Sequence, residues 1–88
     1  MMKRTRTAGI VATKTWRCTI YRLNNEFFAT CTGPDVSRRK RRYVIIPASD
    51  FMKCDPRLLE KYRLPRDLIK RLVSRCLSIK LVIETLGG

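Results

Sequence analysis

The sequence predicts an α+β fold: a small three-stranded antiparallel sheet followed by a short helix and a C-terminal amphipathic helix, with a basic N-terminal arm. Three observations predict it. Apolar and polar side chains alternate from Lys14 to Leu23, ahead of an Asn24-Asn25 pair. From Pro65 onward, apolar residues instead recur at three- and four-residue spacing. Between these stretches, Gly33-Pro34, Pro47, Pro56 and Pro65 punctuate the chain where an element must end or begin. Its 88 residues suit one small domain, organised as an arm (1–13), a β-rich module (14–64) and a helical extension (65–88).

Residues 1–13 read as an arm because they are basic and hydroxyl-rich. No carboxylate precedes Glu26, which is also the composition of an organellar transit peptide. The first strand follows, with Trp16, Cys18 and Ile20 on one face and Arg17, Thr19 and Tyr21 on the other. Asn24-Asn25 supplies the positive-φ positions of a tight turn. Glu26 to Thr32 forms the second strand, with Phe27 and Phe28 assigned to the core, and Gly33-Pro34-Asp35 ends it. A basic loop then runs to Arg42, and Arg42 to Ile46 forms a third strand closed by Pro47.

Asp55-Pro56 has the form of an N-cap followed by proline at the first helical position, giving a short helix to about Tyr62. After Pro65, the residues Leu68, Ile69, Leu72, Val73, Cys76, Ile79, Ile83 and Leu86 share one helical face. That face is expected to cover the sheet, leaving Arg66, Lys70, Arg71 and Arg75 outside. Lys80 to Thr85 is open to either helix or strand, because Leu81-Val82-Ile83 is β-prone.

Composition narrows the function. Twenty Lys and Arg stand against seven Asp and Glu, a net charge of +13. Such an excess repels itself unless a polyanion neutralises it, and RNA or DNA does this with release of counterions. An anionic membrane surface is the weaker fit, and no apolar run is long enough to span a bilayer. No histidine is present, the carboxylates form no convincing acid–base pair, and no cysteine has an evident activator. A binding protein without catalytic residues, cofactor or small-molecule substrate is therefore expected. Cys18, Cys31, Cys54 and Cys76 form no C-x-x-C pair, so no metal site is expected. With no secretory signal evident, they read as buried or reduced thiols.

Arg38, Arg39, Lys40, Arg41 and Arg42 form the densest charge block. Arg grips phosphate bidentately through its planar fork, and Lys40 adds a point charge. Lys3, Arg4, Arg6, Lys14, Arg17 and Lys53 complete the candidate RNA-binding set. The block also has the form of a nuclear import address. Among the aromatics, Trp16 and Tyr21 fall on opposite faces, so whichever is left outside is a candidate for stacking on bases.

The order of hairpin, basic loop, strand and Lys53-Cys54-Asp55-Pro56 resembles the bacterial-type large-subunit ribosomal protein thirty-three family, in its zinc-free mitochondrial form. Cys18-Thr19-Ile20-Tyr21-Arg22-Leu23 is similar to that family's first strand and Phe27-Phe28-Ala29-Thr30 to its second. Arg38 to Arg42 stand where its basic loop lies, and Asp50 to Pro56 resembles its run into Asp-Pro. The likeness covers residues 15–64. It departs in a longer loop before Asp-Pro, in Cys54 at an aromatic position, and in the helical pattern after Pro56. The resemblance implies a structural constituent of the mitochondrial large ribosomal subunit, with ribosomal RNA and neighbouring ribosomal proteins as partners. The alternative is a free-standing nucleic-acid-binding regulator, viral or nuclear, acting in the nucleus or cytoplasm.

Overall fold

A computed structural model describes residues 6–35 and 38–85. Four strands, β1 (Arg6–Ala12), β2 (Arg17–Leu23), β3 (Glu26–Asp35) and β4 (Lys40–Ile46), form one antiparallel sheet in sequential order. Three helices follow: α1 (Ala48–Phe51), α2 (Pro56–Glu60) and α3 (Arg66–Thr85). The α+β class holds, with four strands in place of three. No helix among the described residues is long and apolar enough to cross a membrane.

The added strand occupies most of the expected arm. Ile10 and Val11 are β-branched, and pairing with β2 buries Val11 to 7% exposure. The basic composition of the segment hid this. Its remaining expected cations, Lys3 and Arg4, lie outside the described residues. A bulge between Thr7 and Gly9 re-aims the start of β1. Gly9 lets the Arg75 guanidinium lie close against β1, and a Cβ there would come within 2.6 Å of it and displace the arginine.

The β3–β4 hairpin also differs from expectation. Gly33-Pro34-Asp35 continues β3 instead of ending it, and Lys40 and Arg41, expected in a loop, pair with it as the start of the strand expected from Arg42. The ladder of β2 stops at Arg17 opposite Thr32, so beyond that point β3 has β4 as its only sheet neighbour. Pro34, which has no N–H, is tolerated on a stretch with an open edge. Gly33 is buried because the Trp16 indole lies directly on its backbone, leaving no room for a Cβ.

The helices lie against one face of the sheet. Trp16, Cys18, Ile20, Phe27, Ala29, Cys31, Val44 and Ile46 meet Phe51, Leu59, Leu64, Leu68, Leu72, Cys76 and Ile79 in a single core. Phe28, expected in that core, falls on the opposite face by strand alternation and stacks on Tyr21. In α2, the Asp55 carboxylate accepts from the Arg57 backbone N–H, the cap expected from Asp55-Pro56. Lys80 to Thr85 are helical, because Ile79 and Ile83 continue the core stripe and packing overrides β-propensity.

All four cysteines are paired, overturning the expectation of reduced thiols. Cys18 and Cys31 stand directly opposite in the β2–β3 register, with Cα atoms 4.0 Å apart. Cys54 and Cys76 join the turn after α1 to the middle of α3, with Cα atoms 5.6 Å apart. Strand register and helix packing create both proximities, and sequence spacing carries neither.

One polar latch ties α1 to the end of α2. The Lys61 ammonium lies 2.7 Å from the Asp50 carboxylate, which also accepts from the Tyr62 hydroxyl. The Lys61 hydrogen bond, then that of Tyr62, holds the Asp50 carboxyl below its ordinary value of 3.8. A depressed carboxyl stabilises the fold above its unfolded value, and that contribution is lost as pH falls toward the folded one. The native protein is expected to lose melting temperature more steeply than Asp50→Asn between about pH 6 and about pH 2. Thermal unfolding followed by circular dichroism checks this: the gap between the two proteins should close at the acid end.

Candidate nucleic-acid interface

The β3–β4 hairpin projects beyond the rest of the sheet. Three ladder pairs, Gly33 with Arg42, Pro34 with Arg41 and Asp35 with Lys40, lie past the end of β2. At about 3.3 Å per residue, this finger reaches roughly 10 Å past its neighbours. Arg38 and Arg39 stand in its turn, where the Arg38 N–H donates to the Asp35 carbonyl at 3.2 Å and Arg39 takes a positive φ of 54°. Arg38, Arg39, Lys40 and Arg41 are all exposed.

Arg42 is different. Strand alternation turns it inward, where its guanidinium donates to the carbonyls of Tyr62 at 2.6 Å and Arg63 at 2.8 Å. It also sits 5.8 Å from the Trp16 ring centre. The run of five cations therefore divides into four at the surface and one bolt. That bolt fastens the base of the finger to the turn between α2 and α3.

Register places Lys14 and Arg17 near the same end of the sheet, since Lys14 lies in the β1–β2 turn and Arg17 begins β2. Both are exposed. Thr13 closes that turn, its hydroxyl accepting from the Trp16 N–H at 3.1 Å. The structure does not bring every candidate together. Arg6 starts β1 at the opposite end of the sheet, opposite Arg22. Lys53 lies outside the sheet, exposed in the turn after α1.

Two features of the surface were missed from sequence. A groove between α3 and the outer edge of β1 is lined by Lys70, Arg71 and Arg75, and Arg75 donates to the Ala8 carbonyl at 3.3 Å. All three are exposed, as the helical pattern predicts, and the unexpected strand β1 is what gives them a groove to line. The second feature is the uncovered face of the sheet, where Ile10, Tyr43 and Ile45 are 51%, 68% and 55% exposed. The alternation of Arg41, Tyr43 and Ile45 against Arg42, Val44 and Ile46 carries that signal.

The described residues hold no group of three or more histidine, cysteine or carboxylate side chains placed to bind a metal. Their chemistry is that of fixed cations and exposed rings. Comparison with known proteins found no matching family model, no matching curated protein and no matching solved structure.

Proposed function

We propose that this chain is a non-catalytic nucleic-acid-binding module that works as a structural part of a ribonucleoprotein. The observation that carries the reading is the cationic finger: Arg38, Arg39, Lys40 and Arg41 are exposed on a hairpin whose base Arg42 bolts to the helices. A hairpin fastened at its base holds several cations close together, so one stretch of phosphates could meet them at once with release of counterions. Lys14 and Arg17 widen the contact at the finger's base. The finger is the contact to ribosomal RNA in this reading, and the mitochondrial large subunit is the particle that the resemblance of residues 15–64 supplies. One stretch of that resemblance has a different local form, because Asp50 to Cys54 lies in α1 and the turn after it, not at a strand end.

The paired cysteines favour a second reading, a free-standing regulator of RNA. Two disulfides hold a small core together without a surrounding particle, and because such bonds persist in oxidising surroundings, this reading takes the regulator outside the nucleus and cytosol. Gradient sedimentation of cell extracts, with ultraviolet crosslinking to RNA, separates the two. A ribosomal component travels with the large subunit through a salt wash, whereas a regulator stays near the top of the gradient crosslinked to short RNA. A chain with neither sedimentation nor crosslinks would overturn both readings.

A further inference from the structure

The helices cover one face of the sheet and leave the other open. On the open face, Tyr43 and Ile45 of β4 and Ile10 of β1 are each more than half exposed. Tyr21 and Phe28 form a second aromatic station, stacked with ring centres 5.4 Å apart and planes inclined by 25°. Tyr43 pairs with Thr32, four residues further along β3 than Phe28. From strand rise and spacing, the two stations lie about 14 Å apart, a span of up to about four stacked nucleotides.

The polar groups around these rings identify what would lie on them. Tyr43, Thr32 and Arg17 form one row across β4, β3 and β2. Arg41 precedes Tyr43 by two residues on the same face, its guanidinium 3.5 Å from the Thr32 hydroxyl. Tyr43 is thus bracketed by two arginines and bordered by a hydroxyl. Glu26 brings a carboxylate to this face only at its far end, beside Leu23. Beyond Arg41 the face continues directly onto the basic finger.

We propose that this open face is a stacking platform for the unpaired bases of a single-stranded nucleic-acid segment, with Tyr43 as its principal contact and the phosphates led onto the finger. The proposal rests on the nucleic-acid reading above and adds the state of the ligand. A duplex hides its base faces and offers phosphates alone, whereas an unpaired strand offers both the phosphates and the π-faces that Tyr43, Tyr21 and Phe28 match. Arg17 and Arg41 are placed to take phosphates on either side of a base lying on Tyr43. An apolar protein partner would have to bury these two arginines without a matching anion.

Fluorescence anisotropy of the full oxidised chain against a labelled uridine oligonucleotide, and against the same strand in a duplex with its complement, tests the proposal. The single strand should bind more tightly. Tyr43→Ala should weaken it about 5- to 100-fold with no change in salt slope, and Tyr43→Phe should bind as the native chain does. Tyr43 is 68% exposed, so its truncation leaves the core intact; circular dichroism verifies that. Equal binding of single strand and duplex, with Tyr43→Ala neutral, overturns the platform and leaves the nucleic-acid reading standing. A concentration-dependent dimer abolished by Tyr43→Ala overturns it in favour of a second copy on this face. Binding of neither oligonucleotide removes the platform together with the reading beneath it.

Discussion

Reducing both disulfides is expected to bring the isolated domain to the edge of unfolding. Cys18–Cys31 closes a loop of 13 residues and Cys54–Cys76 one of 22. Loop-closure entropy alone assigns each bond about 3 kcal/mol of stability. Native domains of this size are stable by only about 5–15 kcal/mol, and this one carries a self-repelling net charge of +13. The two bonds therefore account for much or all of the margin. Losing either should lower the melting temperature by about 10–20 °C in a domain of this length. Cys54 is partly exposed and Cys18 and Cys31 are fully buried, so mild reductant should open Cys54–Cys76 first. Thermal unfolding of the oxidised chain, the Cys54→Ser/Cys76→Ser variant and the fully reduced chain measures the series. Identical melting in all three would show that core packing alone holds the fold. If the proposed nucleic-acid reading holds, added RNA should raise the reduced protein's melting temperature by binding the folded state.

Those bonds also mark where the sequence stopped being legible. Local signals were read correctly: Asn24-Asn25 makes the β2–β3 turn with φ of 54° and 65°, and the stripe from Leu68 to Ile83 faces the core. These depend on neighbours within a few residues. Proximity between distant residues depends on register and packing, which spacing does not encode. So the partners of Cys18 and Cys54 were invisible, as was the meeting of Arg42 with the carbonyls of Tyr62 and Arg63. Two errors had a different source. Composition outweighed pattern at Ile10-Val11, where neighbouring cations suggested an arm and the β-branched pair forms a strand. At Gly33-Pro34 the breaker residues suggested a turn, yet each suits its place in β3, one beneath Trp16 and one beside an open edge.

The same register divides the basic run, and neutralising its two parts should have opposite signatures. Replacing Arg38, Arg39, Lys40 and Arg41 with Gln leaves the ladder and core untouched, since all four are exposed. If each meets one phosphate of a single strand, the slope of log affinity against log salt should fall by about 0.7 per residue, near 2.8 in all. At about 0.1 M salt this is a loss of roughly 10²–10³ in affinity, with little change in melting temperature. Arg42→Gln should behave the other way. It removes two hydrogen bonds from a charged donor and the contact with Trp16, so the melting temperature falls. Hydrogen bonds of that kind are worth about 1.5–3 kcal/mol each when lost. Affinity then drops only because the finger loses its mount, and the salt slope stays near its native value. Parallel salt titrations and thermal melts of the two variants decide the matter. Equal salt slopes in the native chain and the fourfold variant would remove the finger from the interface, and a stable Arg42→Gln with a reduced slope would return Arg42 to the phosphate-binding set. The different surroundings of neighbours 41 and 42 follow from strand alternation, which leaves one exposed and turns the other onto the carbonyls of Tyr62 and Arg63.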